Sequence, residues 1–585
     1  MSDADREREL RRLERDRRRR ERGHAGYFEE TGARLDVAEA DQYTTAETMV
    51  IPPEVVAAAG EQPPRRRLAV STAIFAAATG LSRVLGLVRE VVASYYFGAA
   101  GKINAFTIAF QLPNLVRALV ADAALSSAFV PVFVELLKSD RKRAWRVAST
   151  LFWLMLLGLT ALSALFFLVA PWVIGIFGNP GHDRALAIGL SRVLFPIVAL
   201  LGVSGVIVGI LNSYDHFTVP AISPVFWNIA IIAGLAIGVP QAQTMNTKLY
   251  VYAVSILIAT IIQVFLPLPW LRGFDGHLRL ALDWRDPAVK EVLKNMVPVT
   301  LGLGLINVNA VIDTFFASRL IDPGLAPTAI QKAFLIYMLP QGVFSVAIAT
   351  VLFPTLSRYA IEARASGDFT DFRGTVGSGL RQIAFLLVPA AVVSAVLAEP
   401  IVRVLFQRGA FHPNQTPVVA SCLAAFSAGL VFNGAMLMLN RAFFSLRSNW
   451  IPTKIALGNL FLNAVLDLVL YRVGTWGIPL ATAICNVAGT LALLVVLRRN
   501  IHRIDGRAIA STTIRVVAAS AVVAAVSWVI WRPLDSTLGR SFPAQVVSLG
   551  TALTAAIAVY LLCCRLLRVR ELDALLSLRN RLRSA

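Results

Sequence analysis

The sequence predicts an all-α polytopic membrane protein of about fourteen transmembrane helices. Three observations carry that prediction. Hydrophobic residues fill 56% of the 585 positions and charged ones only 16%, far too apolar a mixture for a water-soluble chain of this length. From Leu68 onward the apolar residues fall into separate runs, each near or above the roughly twenty that a helix needs to cross a bilayer. The formal net charge of +20 sits mostly in short stretches between those runs, the pattern of positive-inside topology. Nucleic-acid binding, the other reading of so basic a chain, lacks the interleaved aromatics of a stacking platform.

Residues 1–67 stand apart. ERELRRLERDRRRRER is a mixed-charge run in which Glu/Arg pairs would support a solvated helix, and the polar stretch after it has too little apolar content to fold alone. No apolar core follows the early arginines closely enough for a signal peptide. The segment reads as a mostly disordered cytoplasmic tail whose closing Arg65-Arg66-Arg67 keeps the first helix end inside. Thr44, Thr45 and Thr48, in QYTTAETM, are candidate phosphorylation sites at which a phosphothreonine-binding or cell-wall-synthesis partner would dock.

The apolar runs span about 68–97, 104–137, 145–176, 185–212, 219–239, 248–271, 292–318, 328–357, 376–404, 415–444, 450–471, 475–497, 509–531 and 543–567. An even count places both termini on one side. That side collects KSDRKR at 138–143, the long segment 272–290, the segment 358–373, RRNIHRIDGR at 498–507 and a basic tail at 568–585. The opposite loops carry few basic residues, so both termini are expected in the cytoplasm. Pro113, Pro340 and the pair Gly302 and Gly304 break helices at mid-membrane, where freed backbone groups survive only inside protein or along a cavity.

The charges within these runs mark candidate functional residues. Arg83, Arg89, Glu90, Arg117 and Asp122 lie in the first two, and a charge near the bilayer centre costs roughly 2.5 kcal/mol or more unless it faces a protein-lined or watery interior. Ser82 and Arg89 share a helical face, while Arg83, Gly86 and Glu90 form a second row beside it. Asn114 and Arg117 share a face just after Pro113. A guanidinium suits an anion such as a diphosphate, which it grips with two parallel hydrogen bonds. Arg83 or Arg117 taken singly could instead snorkel toward an interface; three arginines together imply a cationic cavity and an anionic substrate.

A second constellation joins Asp313 with Asn463 and Asp467, the last two on one helical face. Hard oxygen ligands from two helices suit a dehydrated Na⁺. A proton carrier, or a helix-end position for Asp467 in the headgroup region, are the other readings. No enzyme constellation emerges: the histidines are scattered, and Cys422, Cys485, Cys563 and Cys564 lie in apolar segments without ligand spacing. The cysteines read as small packing residues.

Several short motifs, taken together, carry a resemblance to a known family. They are Ser82-Arg83-Val84-Leu85-Gly86 with Arg89-Glu90; Asn104-Ala105-Phe106 through Leu112-Pro113-Asn114-Leu115-Val116-Arg117; Ser127-Ala128-Phe129-Val130-Pro131; Phe353-Pro354; Gln407-Arg408-Gly409-Ala410-Phe411; and Pro452-Thr453-Lys454-Ile455. Over about residues 68–567 the chain resembles the MurJ/MviN lipid II flippases of the MOP exporter superfamily. The resemblance implies a V-shaped, MATE-like protein of the bacterial plasma membrane. It divides the chain into an N-lobe of six helices at 68–271, a cytoplasmic linker at 272–291, a C-lobe of six helices at 292–497, and two helices at 509–567 that form a groove for the lipid tail. It implies a cavity for the lipid II diphosphate and sugars lined by Ser82, Arg83, Arg89, Glu90, Asn114 and Arg117. It also implies a Na⁺ site at Asp313, Asn463 and Asp467, with Thr482.

The chain departs from the family pattern in three places. Leu335 stands where the eighth helix usually carries an arginine, leaving Lys332 or Gln331 as the substitute. Asn104 replaces an acid at the start of the second helix, and Glu90 replaces the usual Asp. The function expected is translocation of undecaprenyl-diphosphate-linked peptidoglycan precursor by alternating access, driven by membrane potential or by Na⁺ as coupling ion. The alternatives are a flippase for another lipid-linked oligosaccharide, a cation-coupled multidrug exporter of the same superfamily, and a membrane scaffold acting through the tail.

Overall fold

The computed structural model describes residues 65–120, 124–177, 183–274, 276–448, 450–501 and 506–572, with the side chains of 65–77, 120, 124–127, 297–299 and 301–306 outside that set. Thr44, Thr45, Thr48, Asp122 and the tail beyond residue 572 lie outside the described residues. The chain divides into Met1–Val70 and Ser71–Ala585; the fold is that of the second unit. Among the described residues it is built from helices and their connections.

The first six expected spans correspond to eight helices: α1 (Arg65–Phe97), α2 (Ile103–Val120), α3 (Ala124–Ser139), α4 (Arg141–Ile176), α5 (Arg184–Leu194), α6 (Ile197–Ser213), α7 (Thr218–Gln241) and α8 (Met245–Phe265). The run at 104–137 is therefore two helices, α2 and α3. Next come α9 (Pro287–Phe316), α10 (Ala326–Pro340), α11 (Val346–Ser366), α12 (Thr370–Val396), α13 (Ala398–Phe406), α14 (Thr416–Ser445), α15 (Trp450–Leu470) and α16 (Gly477–Ile501). The last pair is α17 (Gly506–Leu538) and α18 (Phe542–Leu566). Eleven helical stretches among the described residues are long and apolar enough to cross a membrane. The other three of the fourteen expected spans are present as helices α1, α2 with α3, and α9.

Local chemistry sets the ends. Asp140 accepts from the Arg143 backbone N–H at 3.0 Å and caps α4. Asp286 caps α9 by accepting from Ala288 N at 2.8 Å, with Pro287 at the first helical position, where its missing N–H costs nothing. Pro340 does not end the run as its missing donor suggests. A π-helical turn at Gln341–Ser345 absorbs it, and α10 and α11 continue as one 41-residue stretch, Ala326–Ser366. A second π turn, Ala317–Ile321, closes α9.

Packing is organised around several cores. Ile108, Leu190, Ile231 and Leu235 centre one in the first half, and Phe129, Phe133, Leu151 and Val206 another. Tyr337, Phe406, Leu423 and Phe443 centre the core of the second half. Helix α9 serves both: Ala288, Val289, Val292 and Met296 enter the Phe129 core, while Ala317 just beyond it enters the Tyr337 core. Helices α17 and α18 lie on α12 through Val516, Val523 and Ala556, and the Tyr560 hydroxyl donates to the Phe385 carbonyl at 2.5 Å. Large apolar side chains such as Leu168, Trp172, Phe461, Ile514 and Leu562 face outward, which suits helices surrounded by lipid.

One end of the bundle is tied across the two halves. Gly101 N donates to Gly324 O at 2.7 Å, Ala410 N to Tyr95 O at 2.8 Å, and Ala99 N to the Gln415 side chain at 2.8 Å. Two left-handed glycines permit this approach, Gly98 with φ +68° and Gly409 with φ +57°; a Cβ on either would run into the carbonyl of the facing segment, Ala410 or Tyr95. The motif Gln407 to Phe411 is thus the second half's contribution to a closure.

Candidate functional site

Helix α1 presents its charged residues to two different neighbours, as the two helical rows predict. On the first row, Arg89 donates to Asn228 Oδ1 at 3.3 Å and lies 4.9 Å from the Trp227 ring centroid. Asn228, on α7, donates in turn to the Ser82 carbonyl at 3.3 Å and the Pro224 carbonyl at 2.9 Å. Ser82 and Arg89 therefore meet at one amide. On the second row, the Arg83 guanidinium lies against Gly342 in the π turn after α10, where any side chain would strike it.

Glu90 links the rows. Its carboxylate accepts from Arg89 at 2.8 Å, and its backbone carbonyl connects it through Ser94 to Lys332 on α10, in the second half. Lys332 is 4% exposed and donates to the Ser94 hydroxyl at 2.5 Å, which itself donates to the Glu90 carbonyl at 2.6 Å. Phe406 covers the ammonium at 5.0 Å. Lys332 thus supplies a cation from the second half directly to the α1 cluster, while Gln331 turns to Thr107, accepting at 3.3 Å. A buried Lys is stable only against such partners. Two cations with one carboxylate leave the cluster net positive, and the Arg89 Nε is buried without a partner.

Arg117 binds Asn114 through Nε at 3.2 Å and a terminal nitrogen at 2.9 Å. This pair sits on α2. Sequence spacing therefore puts Ser82 and Arg89 on one row, as their shared partner Asn228 has them, but assigns Glu90 to the other row and misses Asn228, Trp227 and Ser94. A lone Asn within the apolar α7 was the available signal for Asn228.

The carboxylate constellation also forms. Asp313 on α9 is 9% exposed, and Asn463 and Asp467 on α15 are 1% and 0%. Asn463 Nδ2 donates to Asp313 at 2.8 Å and to Asp467 at 2.9 Å, and Asn309 donates to Asp313 at 3.2 Å. Asn463 Oδ1 and Asp467 Oδ1 are buried with no partner. Two buried carboxyl groups, with Asn463 Oδ1 and Asp467 Oδ1 left without partners, call for a neutralising proton or cation, and this hard-oxygen set fits a small cation. Thr482, on α16, donates to its own helix at Ile478 O, 3.4 Å.

The family model described as lipid II flippase MurJ matches residues 93–547. The chain belongs to the MurJ family. A probable lipid II flippase MurJ of Synechocystis sp. is 30% identical over 530 residues, covering 87% of this chain and 96% of that one. A lipid II flippase MurJ of Burkholderia cenocepacia is 30% identical over 72% of this chain and 82% of its own length. Among solved structures, a lipid II flippase MurJ in an inward closed conformation shares the fold with TM-score 0.70 and 24% identity, covering 84% of this chain and 98% of that one. A multidrug resistance MATE family transporter of the MOP superfamily follows at TM-score 0.59 and 17% identity, covering 72% and 94%. The MurJ family is one of multi-pass transporters, and the MATE-like fold with its many membrane-crossing helices agrees with it.

Proposed function

We propose that the chain translocates lipid II, the undecaprenyl-diphosphate-linked peptidoglycan precursor, across the bacterial inner membrane by alternating access between its two halves, with both termini in the cytoplasm. The observation that supports this best is the Arg89, Glu90, Lys332 cluster. It is built from both halves and carries excess positive charge beside a carboxylate that a diphosphate can displace. With the termini inside, the tied end at Gly98, Gly324 and Gly409 faces outward, so the substrate enters from the cytoplasmic side. The diphosphate takes Arg89 from Glu90 and Lys332 from Ser94, and Arg83, Arg117 and Asn114 line the path for the sugars. Binding favours one arrangement only because the cluster is made differently in the two, since a ligand held equally by both shifts nothing.

Asp313, Asn463 and Asp467 would hold the coupling ion, Na⁺. The ion would neutralise the buried carboxylates when bound and leave them repelling when it departs. Membrane potential, worth roughly 2.3 kcal/mol per elementary charge per 100 mV, adds a further drive. The deciding experiment replaces the lipid II flippase of depleted cells with this chain and scores growth together with labelling of outer-leaflet lipid II. Rescue by the parent, and a loss of at least tenfold in labelling for Arg89→Ala at equal membrane levels, is the expected result. A well-inserted parent that fails to rescue would sink the lipid II assignment and direct the search to other polyprenyl-diphosphate sugars.

A further inference from the structure

We propose that the cavity at the turn between α17 and α18 is a binding site for the anionic phosphodiester headgroup of a membrane lipid. The proposal needs only that the chain spans a bilayer, and it concerns a place far along the chain from the α1 cluster. The cavity has a volume of about 500 Å³ and is lined by Trp528, Trp531, Arg532, Asp535 and Arg540 among others. Helix α17 has 33 residues, about 50 Å at 1.5 Å per residue, against a hydrocarbon core of roughly 30 Å. Its last turns therefore stand at headgroup level, where tryptophan is favoured. Nearby, the Arg408 guanidinium covers the Phe542 ring at 3.8 Å, which places the turn at the tied end of the bundle.

The charge of the site favours an anion. Asp535 is the acid among these lining residues, and both its oxygens are taken by Arg403, at 2.9 and 2.8 Å. Arg403 is itself 6% exposed and also binds Glu399 at 2.7 Å. Arg532 and Arg540 then face the cavity with no lining acid left to answer them. Arg532 rests over the Trp528 ring at 5.8 Å, a position that aims a planar fork without fixing its hydrogen bonds.

An unused donor points the same way. Trp531 lines the cavity, is 6% exposed, and its indole Nε1 is buried with no hydrogen-bond partner. Buried donors in native structures nearly always have an acceptor, and a phosphate oxygen would supply one once the indole edge turns toward the cavity. The first backbone N–H groups of α18 add to the field, since its N-cap Ser541 makes no side-chain cap bond. A free phosphate would satisfy the polar groups alone. On the first turns of α18, just after the turn, Phe542 at 49% and Val546 at 42% exposed favour a phosphate that carries an acyl-chain stem.

The test uses the purified full chain in detergent. Phosphatidylglycerol, diacylglycerol with the same tails, or inorganic phosphate is titrated in, with retained ligand counted by native mass spectrometry and protection by thermal unfolding. Arg532→Gln with Arg540→Gln should weaken phosphatidylglycerol retention at least tenfold and leave diacylglycerol unaffected. Trp531→Phe, which keeps the ring and removes the donor, should weaken it severalfold. Both arginines are exposed, so these variants should fold like the parent, which their unliganded unfolding temperature checks. Unchanged retention in both variants, or equal protection by diacylglycerol, overturns the site. Equal protection by millimolar inorganic phosphate overturns the lipid source.

Discussion

Asn104 shows at the scale of one residue why an amide stands where the family resemblance suggests an acid. Its Nδ2 donates to the carbonyls of Ala99, Gly101 and Gly324 at 3.0, 3.1 and 2.7 Å, while its Oδ1 accepts from Thr328 N at 2.9 Å. A carboxylate would keep the last bond and face three carbonyl oxygens with a charge. Asn104→Asp is therefore expected to loosen the tied end by about 1–3 kcal/mol, seen as faster hydrogen exchange at 98–104 and 322–328. Unchanged exchange would show that the closure does not depend on this amide. Glu90 offers the opposite experiment. Glu90→Gln removes the carboxylate that competes with a diphosphate, so lipid II should bind severalfold tighter while flipping slows, because the cluster no longer regains its own partner on release. Binding measured on the purified variant and growth of depleted cells give the two readings; weaker binding would contradict the competition. The sequence made Ser82, Arg89 and Glu90 legible because helical spacing reports faces within one helix. It left Asn228 unread because that partner lies on another helix 139 residues from Arg89.

At the scale of elements, α9 and α15 meet through Asp313, Asn463 and Asp467, a contact that spacing alone half revealed. Asn463 and Asp467 share a face by their numbers, but nothing in the sequence says that Asp313 reaches the same amide. If the pocket holds Na⁺, exchanging choline for Na⁺ at ten times its dissociation constant should raise stability by about 1.4 kcal/mol through mass action. Thermal unfolding in the two salts at equal ionic strength measures it, and Asp313→Asn should erase the difference. A parent that unfolds identically in both salts would leave a proton as the neutralising charge. Of the expected helix breaks, only Pro340 falls at an irregular turn, while Pro113 lies within α2 and Gly302 with Gly304 within α9, both continuous helices. Pro340 announces a lost hydrogen bond, yet whether a chain stops or widens by one residue depends on what packs around it. Here the π turn puts Gly342 against Arg83, so the irregular turn is where the second half touches a charge of the first.

Across the whole molecule, the linker decides how the halves are joined. It was legible as a long basic segment, but its attachments were not, because they are single polar contacts from α4. Arg279 N donates to Ser149 Oγ at 3.1 Å, Asp283 N to Thr150 Oγ1 at 3.3 Å, and Trp153 Nε1 to the Arg279 carbonyl at 3.0 Å. The strap ends at Asp286, which binds Arg143 at 2.9 and 3.1 Å and caps α9. The linker thus belongs to the first half, and since α9 is packed in the Phe129 core through Met296, relative motion must be taken up beyond that residue. The Arg143 hydrogen bond holds the Asp286 carboxyl below the usual carboxylate range, with the Ala288 N–H helping. A carboxyl lowered on folding stabilises above its unfolded value, about 3.9, and loses that contribution as pH falls through its folded value. Asp286→Asn keeps a competent cap and removes the charge, so at pH 7 it should cost no more than about 1 kcal/mol, as expected for a partly exposed pair. Asp286→Ala also removes the cap and should cost about 1 kcal/mol more. Unfolding curves recorded from pH 7 to pH 3 should show parent and Asn variant converging below the ordinary carboxylate range, while the Ala variant stays lower throughout. If the Asn variant instead lies as low as the Ala variant at pH 7, the cap requires the charge, and the ion pair and the start of α9 act as one joint.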